Sequence, residues 1–331
     1  MIAGGGQQAV AWDRAARQLV RAIRGERSQR AVSRRLGYRA NPVAGWEAGR
    51  RFPTAGELLS ACERLGHDVP RAFRVFHPPS AAALGTGSAP RVDAWLRELR
   101  GGTPVVVLAA RMGRSRFAIG RWLGGETQPR LPDFLHLVHV ITDRVSDLVD
   151  ALVPIEAVPE LLGAHRLRSA AKRLAMEAPW TEAMLRLMET EGYRALPVHR
   201  EGYLAALLGL DGDEESAALQ RAQEAGVIEL RDGRYRDLTP STIDTQAPPE
   251  DVARLRAHWS RVALERAAGP RGGDWLGYNL MSISRDDLEQ VRGILRQAFR
   301  QIRTLAASSE PVETAALVNL QLVTWDERDA R

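Results

Sequence analysis

The sequence predicts a mainly α-helical chain in which one short helical unit is used twice, followed by three helices closed by a hairpin and a small α/β end. Three observations carry this expectation. The chain matches itself when shifted by 76 residues; apolar residues recur at intervals of three and four along most of its length; and Asp232-Gly233 sits between two short strand-like runs.

The shift superposes Arg21 on Arg97, Arg24 on Arg100, Gly25 on Gly101, Arg35 on Arg111 and Gly37 on Gly113, without a gap. It also superposes Trp46 on Trp122, Gly49 on Gly125, Pro53 on Pro129, Leu59 on Leu135 and Val69 on Val145. Ten identities in register mark a repeated fold. Within the first copy, Val32, Ser33, Leu36, Val43 and Trp46 describe two short helices joined by a tight turn. Ser33 is small where the helices cross, Gly37 permits the positive φ that stops the first helix, and Val43 and Trp46 share one buried face. The second copy reads Leu108, Ala109, Met112, Gly113, Ile119 and Trp122 at the corresponding places, and Thr103-Pro104 reads as its N-cap and first helical residue.

With Ser28-Gln29 at the start of the second helix, GYRANPVAGWEAGRRFP, and a closing helix from Thr54 to Leu65, residues 14–74 resemble the XRE family of helix-turn-helix regulators, named for phage repressors and Cro. Residues 91–150 resemble the same family with departures: Val105 stands in place of Gln29, Arg114 in place of Tyr38 and Leu123 in place of Glu47. The resemblance implies that the third helix of the unit enters the major groove of double-stranded DNA. On that basis Arg39, Ala40, Asn41 and Ala44 are the base-reading positions, with Arg39 suited to guanine and Asn41 to adenine. Gln29, Arg30, Arg34, Arg50 and Arg51 would hold phosphates. Pro42 is acceptable because a helix's first turn lacks intrahelical partners for its N–H groups. In the second copy the outward set is Ser115, Arg116, Phe117 and Arg121, plus Gly120; the two arginines allow phosphate contact, and two readings of Phe117 stay open, contact with a thymine methyl or packing against protein.

The third segment holds TEAMLRLMETEG, HREGYLAALLGL and EESAALQRAQEAG before VIELRDGRYR. Three helices and a hairpin read as a winged helix. Its third helix begins with Asp211, Asp213, Glu214 and Glu215, which would repel phosphate, so a structural or dimerising role is expected in spite of Arg231, Arg234 and Arg236 on the wing. In the last segment, helices are expected near 249–268 and 285–307 and strands near 275–284 and 315–325. Leu288, Val291, Leu295, Ala298, Ile302 and Leu305 form an apolar stripe expected to pack on that sheet. ARLRAHW, NLMSISRDDLEQVRGILRQAFRQI and VNLQL resemble a bacterial domain-of-unknown-function family found after winged-helix and helix-turn-helix segments in candidate regulators. The resemblance spans roughly residues 160–325 and brings no activity.

Breaks at residues 78–90, near Pro154 and at 238–249 give expected domains of 10–77, 91–153, 155–238 and 248–331. Charge follows this division: residues 1–80 hold fourteen arginines against six carboxylates, while the chain as a whole is only +5. Cys62 is the only cysteine, so neither a disulfide framework nor a cysteine metal site is available. His136 and His139 lie among apolar residues and read as packing histidines, and His258 beside Trp259 as structural; no cofactor or catalytic group is expected. With no leader-like start and no long apolar run, the chain reads as cytoplasmic, without a membrane partner. The expectation is thus a mainly α protein with tandem XRE-like helix-turn-helix units, a winged-helix segment and a small α/β C-terminal domain. It would be a non-enzymatic, homodimeric regulator of transcription, responding to an unidentified small-molecule or peptide effector. The alternative is an antitoxin-like protein-interaction module that uses the same helical units for assembly.

Overall fold

A computed structural model describes residues 10–85, 90–239, 249–307 and 309–325. The chain divides into two compact units, 1–167 and 168–331, and is mainly helical with one two-stranded sheet among the described residues. No helix among them is long and apolar enough to cross a membrane.

In the first unit, five helices occur twice. The first set is α1 (Trp12–Arg24), α2 (Gln29–Arg35), α3 (Pro42–Glu47), α4 (Ala55–Leu65) and α5 (Val69–Phe76). After the short α6 (Pro78–Ala81), the second set is α7 (Val92–Arg100), α8 (Val105–Met112), α9 (Arg116–Gly124), α10 (Leu131–Thr142) and α11 (Val145–Leu152). Each forms for local reasons. In α1, Ala15, Ala16, Leu19, Val20 and Ile23 recur at three and four and are all buried. Helix α4 opens with a capping box: Thr54 Oγ1 accepts from the Glu57 N–H while Glu57 accepts from the Thr54 N–H at 2.7 Å. Gly37 and Gly113 stop α2 and α8 with φ of +88° and +61°, a conformation costly for any residue with a Cβ.

The repeat extends to individual hydrogen bonds. Arg24 donates to the Arg27 carbonyl, and Arg100 to the Thr103 carbonyl. Arg35 donates to the carbonyl of Arg64, and Arg111 to that of Val140; Arg21 donates to Glu47 O, and Arg97 to Leu123 O. Every one of these pairs is related by the same 76-residue shift. The identical arginines are therefore tied to backbone carbonyls, two pairs at helix ends and one in the loop after the first helix of each repeat, so surface charge alone does not explain them.

The two copies meet through equivalent residues. Thr54 and Arg130 form an antiparallel bridge in which the Ala55 N–H donates to Pro129 O at 3.0 Å and the Leu131 N–H to Pro53 O at 2.9 Å. Exchanging the copies maps one bond onto the other, which is the signature of a local two-fold axis. Helices α4 and α10 touch across this axis, and α5 packs on its counterpart α11. One continuous core runs from Ala15 to Leu161, with Trp95 of α7 packed against Phe73 and Phe76 of α5 and Phe134 of α10. The two sequence-expected domains at 10–77 and 91–153 are thus halves of one unit. The segment 78–84 is helical, because His77 caps it, Pro78 and Pro79 begin it, and Ser80 and Leu84 are buried. Helix α8 starts one residue later than Thr103-Pro104 suggests, with Pro104 itself at the N-cap position. The expected break at 238–249 falls mostly on residues outside those described.

Helix α12 (Pro159–Glu177) contains the boundary between the units. The second unit continues with α13 (Trp180–Met188), α14 (Glu191–Arg194), α15 (Tyr203–Leu208) and α16 (Gly212–Glu224), then β1 (Ile228–Arg231) and β2 (Arg234–Asp237). The hairpin pairs Ile228 with Asp237 and Arg231 with Arg234. Its two-residue turn has φ of +52° at Asp232 and +74° at Gly233, the conformation that Asp-Gly favours. Helices α17 (Pro249–Ala268) and α18 (Arg285–Ala307) follow as expected.

The expected C-terminal sheet is not formed. Residues 275–284 and 315–325 carry the alternating apolar pattern but pair with no strand, and Trp275, Tyr278, Leu320 and Trp325 are exposed. Alternation specifies which side chains share a face; without a partner strand the backbone has no ladder to join. The stripe on α18 therefore does not rest on a sheet. Leu288, Val291, Leu295 and Ala298 are half-buried, whereas Ile302 and Leu305 are exposed.

Candidate nucleic-acid interface

Helices α2 and α3 position the residues singled out in the first copy. Val32 and Ser33 of α2 and Val43 and Trp46 of α3 are buried, which turns the remaining faces of both helices outward. Ser33, wholly buried, donates from Oγ to Asn41 Oδ1 at 2.7 Å, fastening the crossing of the two helices. Asn41 is also the N-cap of α3, accepting from the Ala44 N–H at 3.4 Å. Its Oδ1 is thus committed within the fold, and the amide nitrogen is the group through which an exposed Asn41 would meet a base. A two-bond adenine pair needs both atoms.

Arg39 and Ala40 are exposed, and Ala44 and Gly45 half-buried, at the start of α3 and the loop before it. Arg30, Arg34, Arg50 and Arg51 are exposed around them, and none of these four, nor Arg39, lies within salt-bridge distance of a carboxylate among the described residues. Five guanidinium groups without internal counter-ions thus share the α2–α3 region. Gln29 differs. Ser28 caps α2, and Gln29 Nε2 donates to Glu47 Oε2 at 2.7 Å. That ties the side chain to the protein and diminishes its availability as a phosphate donor.

Glu47 organises this region, although only its replacement by Leu123 draws notice in the sequence. It is 4% exposed and accepts from Arg24 Nε at 2.6 Å as well as from Gln29, with Arg21 at 3.8 Å. One carboxylate thereby links α1, α2 and α3. Tyr38 packs edge-on against Trp46 at 6.0 Å, and burial followed by the charge of Glu57 pushes its phenol up.

In the second copy Ser115 caps α9 by accepting from the Ala118 N–H. Arg116, Phe117 and Arg121 are exposed, with the Arg116 guanidinium 5.0 Å from the Phe117 ring centre. Arg114 pairs with Asp133 at 2.7 Å. His136 stacks on Trp12 at 5.0 Å and His139 lies 5.2 Å from the same ring, so both histidines serve as packing surfaces.

The second unit offers less to a polyanion. Arg236 pairs with Asp232, and Arg234 donates to the Arg194 carbonyl, so two of the three hairpin arginines are engaged internally. Glu215, expected on the surface of the third helix, is fully buried and accepts from the Leu204 and Ala205 N–H groups at the start of α15. Its role is to satisfy a helix end, while Asp211 and Glu214 form the capping box of α16. Tyr193 Oη lies 3.1 Å from His199 Nδ1 and accepts from the Tyr235 N–H, and His199 Nε2 lies 3.6 Å from Glu215. Periodicity gives no signal for this network, because its members come from three separate elements and a loop. His258 packs edge-on against Trp180 and Trp259 at 5.1 and 4.8 Å.

Residues 168–324 match the family described as Domain of unknown function (DUF4423). No curated protein and no solved structure matches the chain. The DUF4423 match begins at the boundary between the two units and takes in the three-helix-and-hairpin segment, α17 and α18. It leaves the repeated unit outside, so the reading of that unit rests on its own residues.

Proposed function

We propose that the chain is a sequence-specific DNA-binding transcription regulator, of the XRE helix-turn-helix type, in which the first repeat reads the major groove. The observation that carries this reading is the cluster of Arg30, Arg34, Arg39, Arg50 and Arg51, exposed and without carboxylate partners, around the outward start of α3. Such a surface lowers the free energy of a polyanion by releasing its condensed counter-ions. Arg39 and the Asn41 amide, with small Ala40 and Ala44 beside them, provide donors and close approach to base edges. In the second repeat the corresponding outward positions hold Ser115, Arg116, Phe117 and Arg121, which reading by the first repeat does not require. The winged-helix-like segment and α17–α18 would dimerise the chain or respond to an effector, in keeping with the exposed apolar residues of α18.

Selection of duplexes from random sequence with the purified chain, followed by binding measurements, tests this. Arg39→Ala with Asn41→Ser should lower affinity for the selected duplex by about tenfold or more while leaving non-specific binding in place. Serine keeps the cap on α3 and removes only the amide. Unchanged discrimination would refute the base-reading assignment. A second reading, assembly with another protein through the helical units, is favoured by Phe117 and Val106, 70% and 63% exposed. It takes over if no duplex binds with an affinity that falls as salt rises.

A further inference from the structure

The local two-fold axis and the charge on its two sides lead beyond that reading, while resting on it. An isologous dimer of helix-turn-helix units places one reader on either side of its axis and so recognises two inverted half-sites. Here both units belong to one chain. The Thr54–Arg130 bridge, the α4–α10 contact and the α5–α11 pair all join equivalent residues or elements, and the core is continuous across them.

The surfaces that would face the duplex have nonetheless diverged. At the shift of 76, Gln29, Arg30 and Arg34 become Val105, Val106 and Ala110. Arg50 and Arg51 become Glu126 and Thr127, and Arg39 becomes Ser115. All five arginines of the first repeat's cluster are therefore missing from the second, and one has become a carboxylate. Arg116 and Arg121 stand where Ala40 and Gly45 stood, so the second repeat regains two cations. By contrast, three arginines that bond backbone carbonyls recur: Arg97, Arg100 and Arg111 repeat the bonds of Arg21, Arg24 and Arg35, whereas Arg64, which donates to the Leu36 carbonyl, is replaced by Val140. Three of the carbonyl-bonding arginines thus recur between the repeats, and none of the five clustered outward ones does. That selectivity separates a scaffold from a reader.

We infer that the chain is its own pseudodimer with a single DNA-reading half: the second repeat occupies the partner's place, completes the core, and leaves each chain bound to one half-site. The preferred duplex is then a single, non-palindromic element per chain. With Arg30, Arg34, Arg50 and Arg51 as the phosphate contacts, log affinity should fall with log salt at a slope of about −4, near −0.9 for each contact. Two equivalent readers would roughly double it.

The full chain is used to test this, with a duplex recovered by selection, a truncation keeping only the half under the first repeat, and a duplex carrying that half twice, inverted. Truncation and Arg116→Ala with Arg121→Ala should each change affinity by less than about threefold, whereas Arg34→Ala with Arg50→Ala should reduce it by about tenfold or more. Continued protection of the Cys62 thiol verifies that each variant remains folded. Two chains on the inverted duplex agree with one half-site per chain. A single chain that binds the inverted duplex about tenfold more tightly than the truncated one, or a tenfold loss on removing Arg116 and Arg121, overturns the inference while leaving DNA reading intact. If no duplex shows salt-dependent binding, the DNA-reading proposal fails and this inference fails with it.

Discussion

Replacing Glu47 by leucine tests how the first repeat is held together, because the second repeat already carries Leu123 at that position. In the first, Glu47 is 5% exposed at its side chain and accepts from Arg24 Nε at 2.6 Å and from Gln29 Nε2 at 2.7 Å. In the second, Leu123 is buried and Arg100 Nε, the counterpart of Arg24 Nε, is buried without a hydrogen-bond partner. Breaking a buried ion pair by removing one side costs about 3–5 kcal/mol. Burying leucine instead contributes about 1.5–3 kcal/mol. Taking the middle of each range, Glu47→Leu should therefore destabilise the first unit by about 2 kcal/mol. Cys62 supplies a probe specific to that unit: it is fully buried, and desolvation pushes its thiol up to about 12, so labelling reports opening of the core. Labelling across a urea series should shift to lower urea in the variant. Adding Gln29→Val, to match Val105, should return about 1 kcal/mol or more, since the amide no longer lacks its acceptor. A change within about 0.5 kcal/mol for Glu47→Leu alone would refute the assignment of Glu47 as the link between α1, α2 and α3.

Other perturbations test the remaining contacts. Gly233→Ala places a Cβ 2.7 Å from Val198 Cγ1 at a φ of +74°, and should lower the second unit's thermal stability by about 1–3 kcal/mol, with Val198→Ala restoring part of it. Gly56→Ala brings a Cβ 2.5 Å from Gln128 Oε1, which accepts from the Gly56 N–H across the two repeats. Displacing that amide should cost about 1 kcal/mol in Cys62 protection, and Gln128→Ala should make the same change at Gly56 nearly neutral. Burial lowers the His199 pKa from its usual value, against the opposing pull of Glu215 and Glu201. The fold therefore favours the neutral ring, and the unfolded chain binds more protons. This contribution is present above about pH 6.5, the unfolded value, and is lost as pH falls below it. His199→Gln should flatten the decline in the second unit's thermal stability between about pH 6.5 and 5.5; an unaltered decline would exclude His199 as its source.

The repeat, the caps and the hairpin were legible because each depends on neighbours in sequence. Ser28 and Ser115 cap their helices, Pro42 begins α3, Gly37 and Gly113 end the preceding helices, and Asp232-Gly233 closes the hairpin. What stayed hidden is non-local. The hydrogen bond from Ser33 to Asn41, the hub at Glu47 and the Tyr193–His199–Glu215 network join residues on different elements, and side-chain type alone does not say which partner each will find. Asn41 illustrates the cost: its position suggested adenine, yet the same amide oxygen caps α3. The missing C-terminal strands are a failure of a different kind, since alternation in 315–325 fixes which side chains share a face and leaves open whether a second strand will join.

The two-fold relation between the repeats explains why the second can change its outward face so freely and yet remain. Trp95 lies among Phe73, Phe76 and Phe134, so the core of each repeat is completed by aromatic rings of the other. His67 adds a link of its own, its ring nitrogens 3.1 Å from the carbonyls of Leu152 and Ile23. Removing the second repeat would expose that apolar surface and break the reciprocal backbone bonds at Pro53 and Pro129, which ties its folding to that of the first. Constraint of this kind acts on buried and carbonyl-bonding residues such as Arg97, Arg100 and Arg111, and does not act on Val106, Ala110 or Glu126, which face away from it. The loss of the whole outward arginine cluster is thus compatible with a shared core, which constrains the faces the repeats bury and not the ones they expose.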